Sequence, residues 1–209
     1  MTLHEALNPL HQPSPVRLEN FTREDLARLF GRFGFTQGAE IGVMTGEYSR
    51  VLYEHIPGLR LCCVDSWAWG PENKYWARQG PKKVHQTNYE RARACLAPYD
   101  VVFMRMTSLE GAAVVPDGSL DFVYVDASHD YDSCLADLEA WSPKVRRGGI
   151  VAGDDYRQGS SRARGVIGAV DDFVAAHGIP ECFLTTDDTR TMDMETLIGS
   201  YPSFFWEQP

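Results

Sequence analysis

From residue 39 to residue 155 the chain alternates short apolar runs with longer stretches of helical periodicity. The apolar runs are AEIGV (39–43), LCCVD (61–65), VVFMRM (101–106), LDFVYVD (120–126) and GGIVAGDD (148–155). They are nearly continuous and rich in β-branched and aromatic residues, the pattern required of strands covered on both faces. The segments between them include EYSRVLYEHI, VHQTNYERARACLAPY and YDSCLADLEAWSPKV, which have the length and period of crossover helices. Five such repeats predict an α/β fold with a doubly wound, mostly parallel sheet and right-handed connections. Upstream, Thr22 and Asp25 form a capping-box pattern. Leu26, Leu29, Phe30 and Phe33 then recur at helical spacing, so a first helix is expected to run to about Phe33. Downstream, a helix is expected over 164–177, with strand-like runs at 181–186 (ECFLTT) and 203–208 (SFFWEQ).

Three stretches break the pattern. Residues 1–16 carry Pro9, Pro13 and Pro15 among polar residues and read as a loosely ordered arm. With the first helix, this arm makes a segment 1–36 in front of a main domain at 37–209. Residues 66–83 concentrate Trp67, Trp69, Tyr75 and Trp76 among Gly, Pro and charges directly after the second run. An insertion there lies over the carboxyl edge of the sheet, where open α/β sheets bind ligands, and reads either as a lid or as a small satellite core. The flexible, basic RQGSSRARG (157–165) follows the fifth run at the same edge and is a second lid candidate.

Composition narrows the partners. A chain of 209 residues that is 44% hydrophobic can bury one sizeable core. The formal charge of −9 argues against phosphate backbones and anionic lipid as partners, since both demand clustered Lys and Arg. The five cysteines show neither zinc spacing nor a disulfide framework, which fits a reduced cytoplasm. No signal-peptide pattern and no apolar run of membrane-spanning length are present.

The turn after the first run reads Glu40-x-Gly42-x-x-x-Gly46, not the G-x-G-x-x-G of dinucleotide folds, so a pyrophosphate ligand loses its main support. Gly42 permits a sharp turn and Gly46 a close approach to the following helix. Asp65 ends the second run 23 positions after Gly42, a placement suited to hydrogen-bonding a ribose diol. Together with Glu40 it gives the pocket a negative character that suits a cationic cofactor.

The runs GAEIGVMTGEYSRVL, CCVDSW, MTSLEGA and GSLDFVYVDASHDYDSCLADLEAWSPKVRRGGIVAGDDY, in this order over residues 22–177, resemble the class I S-adenosylmethionine (SAM)-dependent methyltransferases. The similarity is greatest to the branch that includes metal-dependent O-methyltransferases of sugars and antibiotic-like small molecules. The resemblance implies a Rossmann-like seven-stranded sheet closed by a C-terminal antiparallel β-hairpin. It also implies that Glu40, Gly42, Gly46 and Ser49 line the methionine end of SAM, that Asp65 holds the ribose, that Trp67 flanks ribose or adenine, and that Ser108 sits near the adenine. Ser108 reads equally well as a helix N-cap.

Asp126 ends the fourth run, and Asp154 and Asp155 end the fifth. Neighbouring strands bring these carboxylates to the cofactor's edge of the sheet, and a cluster of this kind suits a hard cation such as Mg²⁺. The resemblance points to the same three ligands. Asp154 and Asp155 also read as turn caps. His129 is placed to accept a proton, to orient Asp126 or simply to pack the loop. Asp130, Tyr131 and Asp137 read as helix-start and surface residues. The reading that unites these features is SAM-dependent methyl transfer to a hydroxyl of a small molecule with Mg²⁺ assistance. A metal-independent enzyme with His129 as base and a non-catalytic SAM- or nucleotide-binding module are the alternatives.

Overall fold

A computed structural model describes residues 2–9, 13–68, 82–156, 163–186 and 201–209. The helices there are α1 (Leu3–Leu7), α2 (Arg23–Arg32), α3 (Glu47–His55), α4 (Lys82–Cys95), α5 (Ser108–Val114), α6 (Tyr131–Trp141) and α7 (Ala163–Ala176). The strands are β1 (Val16–Arg17), β2 (Gln37–Ile41), β3 (Arg60–Val64), β4 (Val101–Met104), β5 (Leu120–Val125), β6 (Val145–Gly153), β7 (Phe183–Leu184) and β8 (Phe204–Glu207). They form one mixed sheet in the order β1-β7-β8-β6-β5-β2-β3-β4. The run β6-β5-β2-β3-β4 is parallel throughout, and β8 enters antiparallel between β6 and β7.

The near-continuous hydrophobicity of the central strands reflects two cores. Val123 and Val125 of β5 face Leu138, Trp141 and Phe173 of α6 and α7, whereas Phe122 and Tyr124 face Leu26, Phe30, Leu52 and Ala92 of α2, α3 and α4. All of these side chains are buried. The Phe122 and Phe30 rings stack with centroids 4.5 Å apart, which ties α2 to the middle of the sheet.

The Thr22–Asp25 capping box forms as the sequence predicts and starts α2. Two differences concern the first 17 residues. Thr2 and Glu5 form another capping box on α1, Leu3 is buried, and the Leu3 amide donates to a Glu207 carboxylate oxygen at 2.6 Å. Val16 and Arg17 then pair with β7 as an eighth strand. The described residues of the expected loose arm are therefore docked, through contacts with Glu207 and β7, near the other end of the chain. Gly148 and Gly149 lie inside β6 instead of opening it.

Candidate active site

The carboxyl ends of β2, β3 and β5 surround a cavity of about 470 Å³, lined in part by Gly42, Asp65, Ser66, Ser108, Ser128 and Asp137. That volume lies in the range of small-molecule sites. Gly42 has φ +92° and faces the chain just beyond β5. A Cβ there would lie 2.0 Å from the Asp126 carbonyl oxygen, so any larger residue would force two central strands apart. Gly46, at φ +81°, starts α3 without a side-chain cap.

Asp65 is buried and accepts from the Met44 amide at 2.9 Å and the Trp67 amide at 2.7 Å. Burial raises its pKa, and these amide hydrogen bonds oppose the rise. Each oxygen keeps lone-pair capacity for a ligand hydroxyl. Trp67 is buried against Tyr89, with ring centroids 4.9 Å apart, and its indole N–H donates to the Met44 carbonyl at 2.8 Å. It braces the Asp65 loop and does not line the cavity, where Ser66 stands instead. Glu40 and Ser49 are buried and do not line this cavity. The Ser49 hydroxyl donates to Glu40, whose complete burial pushes its pKa up to about 8.

Ser108 does line the cavity, but Thr107 is the N-cap of α5, in a capping box with Glu110. The Ser108 oxygen accepts the Trp141 indole N–H at 2.9 Å. Asp137, expected at the surface, is buried in the cavity wall. Burial raises its pKa to about 6 against the opposing effect of the Ser108 hydroxyl. Its sequence signal lay in the spacing: Asp137 shares one helical stripe with Cys134, Leu138 and Trp141, all buried.

The segment after β5 divides between two sites. Ala127 and Ser128 line the cavity, while Asp126 and His129 belong to a charged cluster beside it. The His129 ring bridges two carboxylates, with Nε2 3.4 Å from Asp126 Oδ1 and Nδ1 3.0 Å from Asp155 Oδ2. Burial lowers the His129 pKa, but the two carboxylates outweigh it and raise the value to about 11, so the ring is an imidazolium at neutral pH. Asp155 sits at φ +65°. Asp154 faces Arg23 of α2 at 3.2 Å and accepts from the Ser203 hydroxyl at 3.0 Å. Enclosure raises the pKa of both Asp126 and Asp154. Arg23, which the sequence did not mark, also lies over the Tyr48 ring, 5.1 Å from its centroid.

Among the described residues no group of three or more His, Cys, Asp and Glu side chains is arranged to hold a metal ion. Asp126, Asp154 and Asp155 do not fit Mg²⁺ as they stand. His129 occupies the position between Asp126 and Asp155, and Asp154 is turned to Arg23 and Ser203. Trp69, Tyr75 and Trp76, and most of the second lid candidate, lie outside the described residues.

A family model described as a methyltransferase domain matches residues 39–156, more than half of the chain. The chain therefore belongs to this methyltransferase-domain family, with the fold of the class I SAM-dependent methyltransferases. No curated protein matches its sequence. Among solved structures it is similar to an O-methyltransferase from Bacillus cereus in complex with SAH. Identity is 18%, coverage 99% of this chain and 87% of that one, and the TM-score 0.63. It is also similar to the O-methyltransferase TomG from Streptomyces achromogenes, involved in tomaymycin synthesis, in complex with SAM. Here identity is 17%, coverage 99% and 86%, and the TM-score 0.57. The N-methyltransferase NodS from Bradyrhizobium japonicum matches at 13% identity, covering 90% of this chain and 94% of that one, with a TM-score of 0.57.

Proposed function

We propose that the chain transfers a methyl group from SAM to a hydroxyl of a small molecule, with SAM in the cavity and the acceptor oxygen at Asp126 and His129. The observation that carries this reading is the division of one loop between the two: Ala127 and Ser128 line the cavity while Asp126 and His129 face the adjoining charged cluster. The two structurally similar O-methyltransferases with SAH or SAM bound support SAM as the cofactor. When bound, SAM supplies an electrophilic methyl on a sulfonium sulfur.

Asp65 is suited to accept from the ribose hydroxyls. Glu40 and Ser49 act without lining the cavity, by shaping the turn that carries Gly42. Asp126, with its raised pKa, is a stronger proton acceptor than an ordinary carboxylate and takes the proton of the attacking hydroxyl. His129 is already protonated, so it orients Asp126 and places positive charge beside the developing oxyanion instead of acting as the base. Arg23, from the segment preceding residue 37, offsets the charge of Asp154 at the same edge. Residues 37–209 would then form the catalytic domain, with 1–36 added to complete its site.

Mg²⁺ assistance is the second reading. The meeting of Asp126, Asp154 and Asp155 at the ends of adjacent strands favours it, but it requires His129 and Arg23 to release their carboxylates. Methyl transfer measured with a panel of hydroxylated acceptors, in chelator and in added Mg²⁺, separates the two. Turnover that persists in chelator and falls in His129→Ala supports the imidazolium arrangement. Loss of turnover in chelator with restoration by Mg²⁺ establishes the metal route.

A further inference from the structure

Residues 126–131 run from the end of β5 into α6 and supply both the charged cluster and part of the cavity wall. A glycine abuts each end of this segment. At the near end, Gly42 meets the Asp126 carbonyl oxygen and the Ala127 Cα, which lie 2.0 and 2.8 Å from where its Cβ would stand. At the far end, Gly165 in the first turn of α7 also meets backbone. A Cβ there would lie 2.7 Å from the His129 carbonyl oxygen and 2.9 Å from the Tyr131 nitrogen, so the contact exists only because residue 165 has no side chain. Neither partner is free to give way. α7 is seated through Val166, Ala169, Val170 and Phe173, all buried in the core it shares with α6. The segment is fixed by Asp130, whose side chain accepts the Ser133 amide at 3.1 Å as the N-cap of α6. The same face of α7 continues the contact, with Gly168 against the Tyr131 ring and Asp172 accepting the Tyr131 hydroxyl at 2.7 Å.

We propose that Gly165 is a positioning residue: by admitting the His129 carbonyl against α7 it fixes the His129 ring between Asp126 and Asp155, as Gly42 fixes the cavity side of the same segment. This rests on the reading of Asp126 and His129 as the acceptor site. The ring nitrogens stand 3.4 Å from Asp126 and 3.0 Å from Asp155, and a shift of about 1 Å would break or remake both contacts. A methyl group at 165 therefore acts on a pair of carboxylates it does not touch. The same methyl group at 168 meets only the edge of the Tyr131 ring, 3.3 Å away and partly exposed, which can tilt aside. The two substitutions gain helix propensity alike, so their difference isolates the displacement of the His129 backbone.

The test compares wild type, Gly165→Ala and Gly168→Ala in three measurements: methyl transfer to the panel of hydroxylated acceptors at saturating SAM, calorimetric titration with S-adenosylhomocysteine, and the ¹⁵N signals of the His129 ring at one pH, assigned by their loss in His129→Ala. Gly165→Ala is expected to lower kcat by about 10-fold or more, the effect of a small misplacement at a reacting centre. It should leave S-adenosylhomocysteine affinity nearly unchanged and shift the His129 signals. Gly168→Ala should match wild type in all three. Turnover and ring signals unchanged in a folded Gly165→Ala overturn the proposal. An equal loss in Gly168→Ala overturns it as well, since the effect would then be one of helix packing. Wild type itself should give one sharp set of His129 signals. Signals broadened by exchange between positions would show a ring without a fixed seat and overturn the proposal whatever the folding of the variants. Absence of turnover in wild type with every acceptor counts against the methyl-transfer reading, and the ring signals then decide the positioning on their own.

Discussion

Glu40→Gln isolates the consequence of placing a carboxylic acid in the sealed end of β2. In the unfolded chain this side chain releases its proton near pH 4.5, whereas in the fold it retains the proton to about pH 8. Between those values the folded state holds one more proton than the unfolded state, and stability falls by about 1.4 kcal/mol per pH unit on that account. The contribution is complete below the lower value and is lost as pH rises through the upper one. Over the full interval it amounts to roughly 4–5 kcal/mol. Glutamine is neutral at every pH and still accepts from the Ser49 hydroxyl, so it removes the slope while preserving the packing. Urea unfolding of both proteins, followed by tryptophan fluorescence from about pH 5 to pH 8.5, gives the difference in stability at each pH. The other perturbed groups, His129, Asp137 and Asp154 among them, are common to both proteins and largely cancel. The variant should gain several kcal/mol on wild type across this range. Parallel curves would refute the assignment of a buried, protonated Glu40.

Other outcomes follow from the same geometry. Gly42→Ala should destabilise the fold by about 3 kcal/mol or more, through positive φ and the clash with the Asp126 carbonyl, and should lower the thermal midpoint by roughly 6 °C or more. A melt unchanged from wild type would contradict the close approach of the two turns. Arg23→Gln leaves Asp154 buried without its cationic neighbour and should destabilise by about 2–3 kcal/mol at alkaline pH. The loss should shrink on acidification, as the carboxyl with its raised pKa takes up a proton, and chemical denaturation at two pH values reads this. Asp65→Ala should weaken SAM binding by about 1–3 kcal/mol in calorimetry, and unchanged affinity in a folded variant would take Asp65 out of the cofactor site.

The parts legible in the sequence are those governed by local pattern. The five parallel strands are covered by helices and therefore largely apolar, and Thr22 with Asp25 is a self-contained signal for the start of α2. The parts that were not legible depend on distant partners. Val16 and Arg17 make a strand because β7 offers an edge, and two residues carry no periodicity. Of the run 181–186 only Phe183 and Leu184 join the ladder. At the site, chain position predicted that Asp126, His129, Asp154 and Asp155 would gather, yet Asp154 is turned to Arg23 and Ser203, which arrive from opposite ends of the chain. The family resemblance placed Trp67 beside the ribose or adenine, whereas its φ of +38° and its bond to Met44 turn it into the wall.

The antiparallel insertion of β8 sets an order of events during synthesis. When β6 leaves the ribosome, its outer edge carries Ile150, Val151 and Ala152 with no neighbour, and β8 is still about fifty residues away, a few seconds at ordinary elongation rates. Ser203, which steadies Asp154, arrives with the same strand. A nascent chain can thus complete its parallel sheet and enclose the cavity while its acidic cluster remains unset and a sticky edge stays open to other chains. Translational stalling after β6 would release a protein that is nearly folded, prone to edge-to-edge association and catalytically unformed.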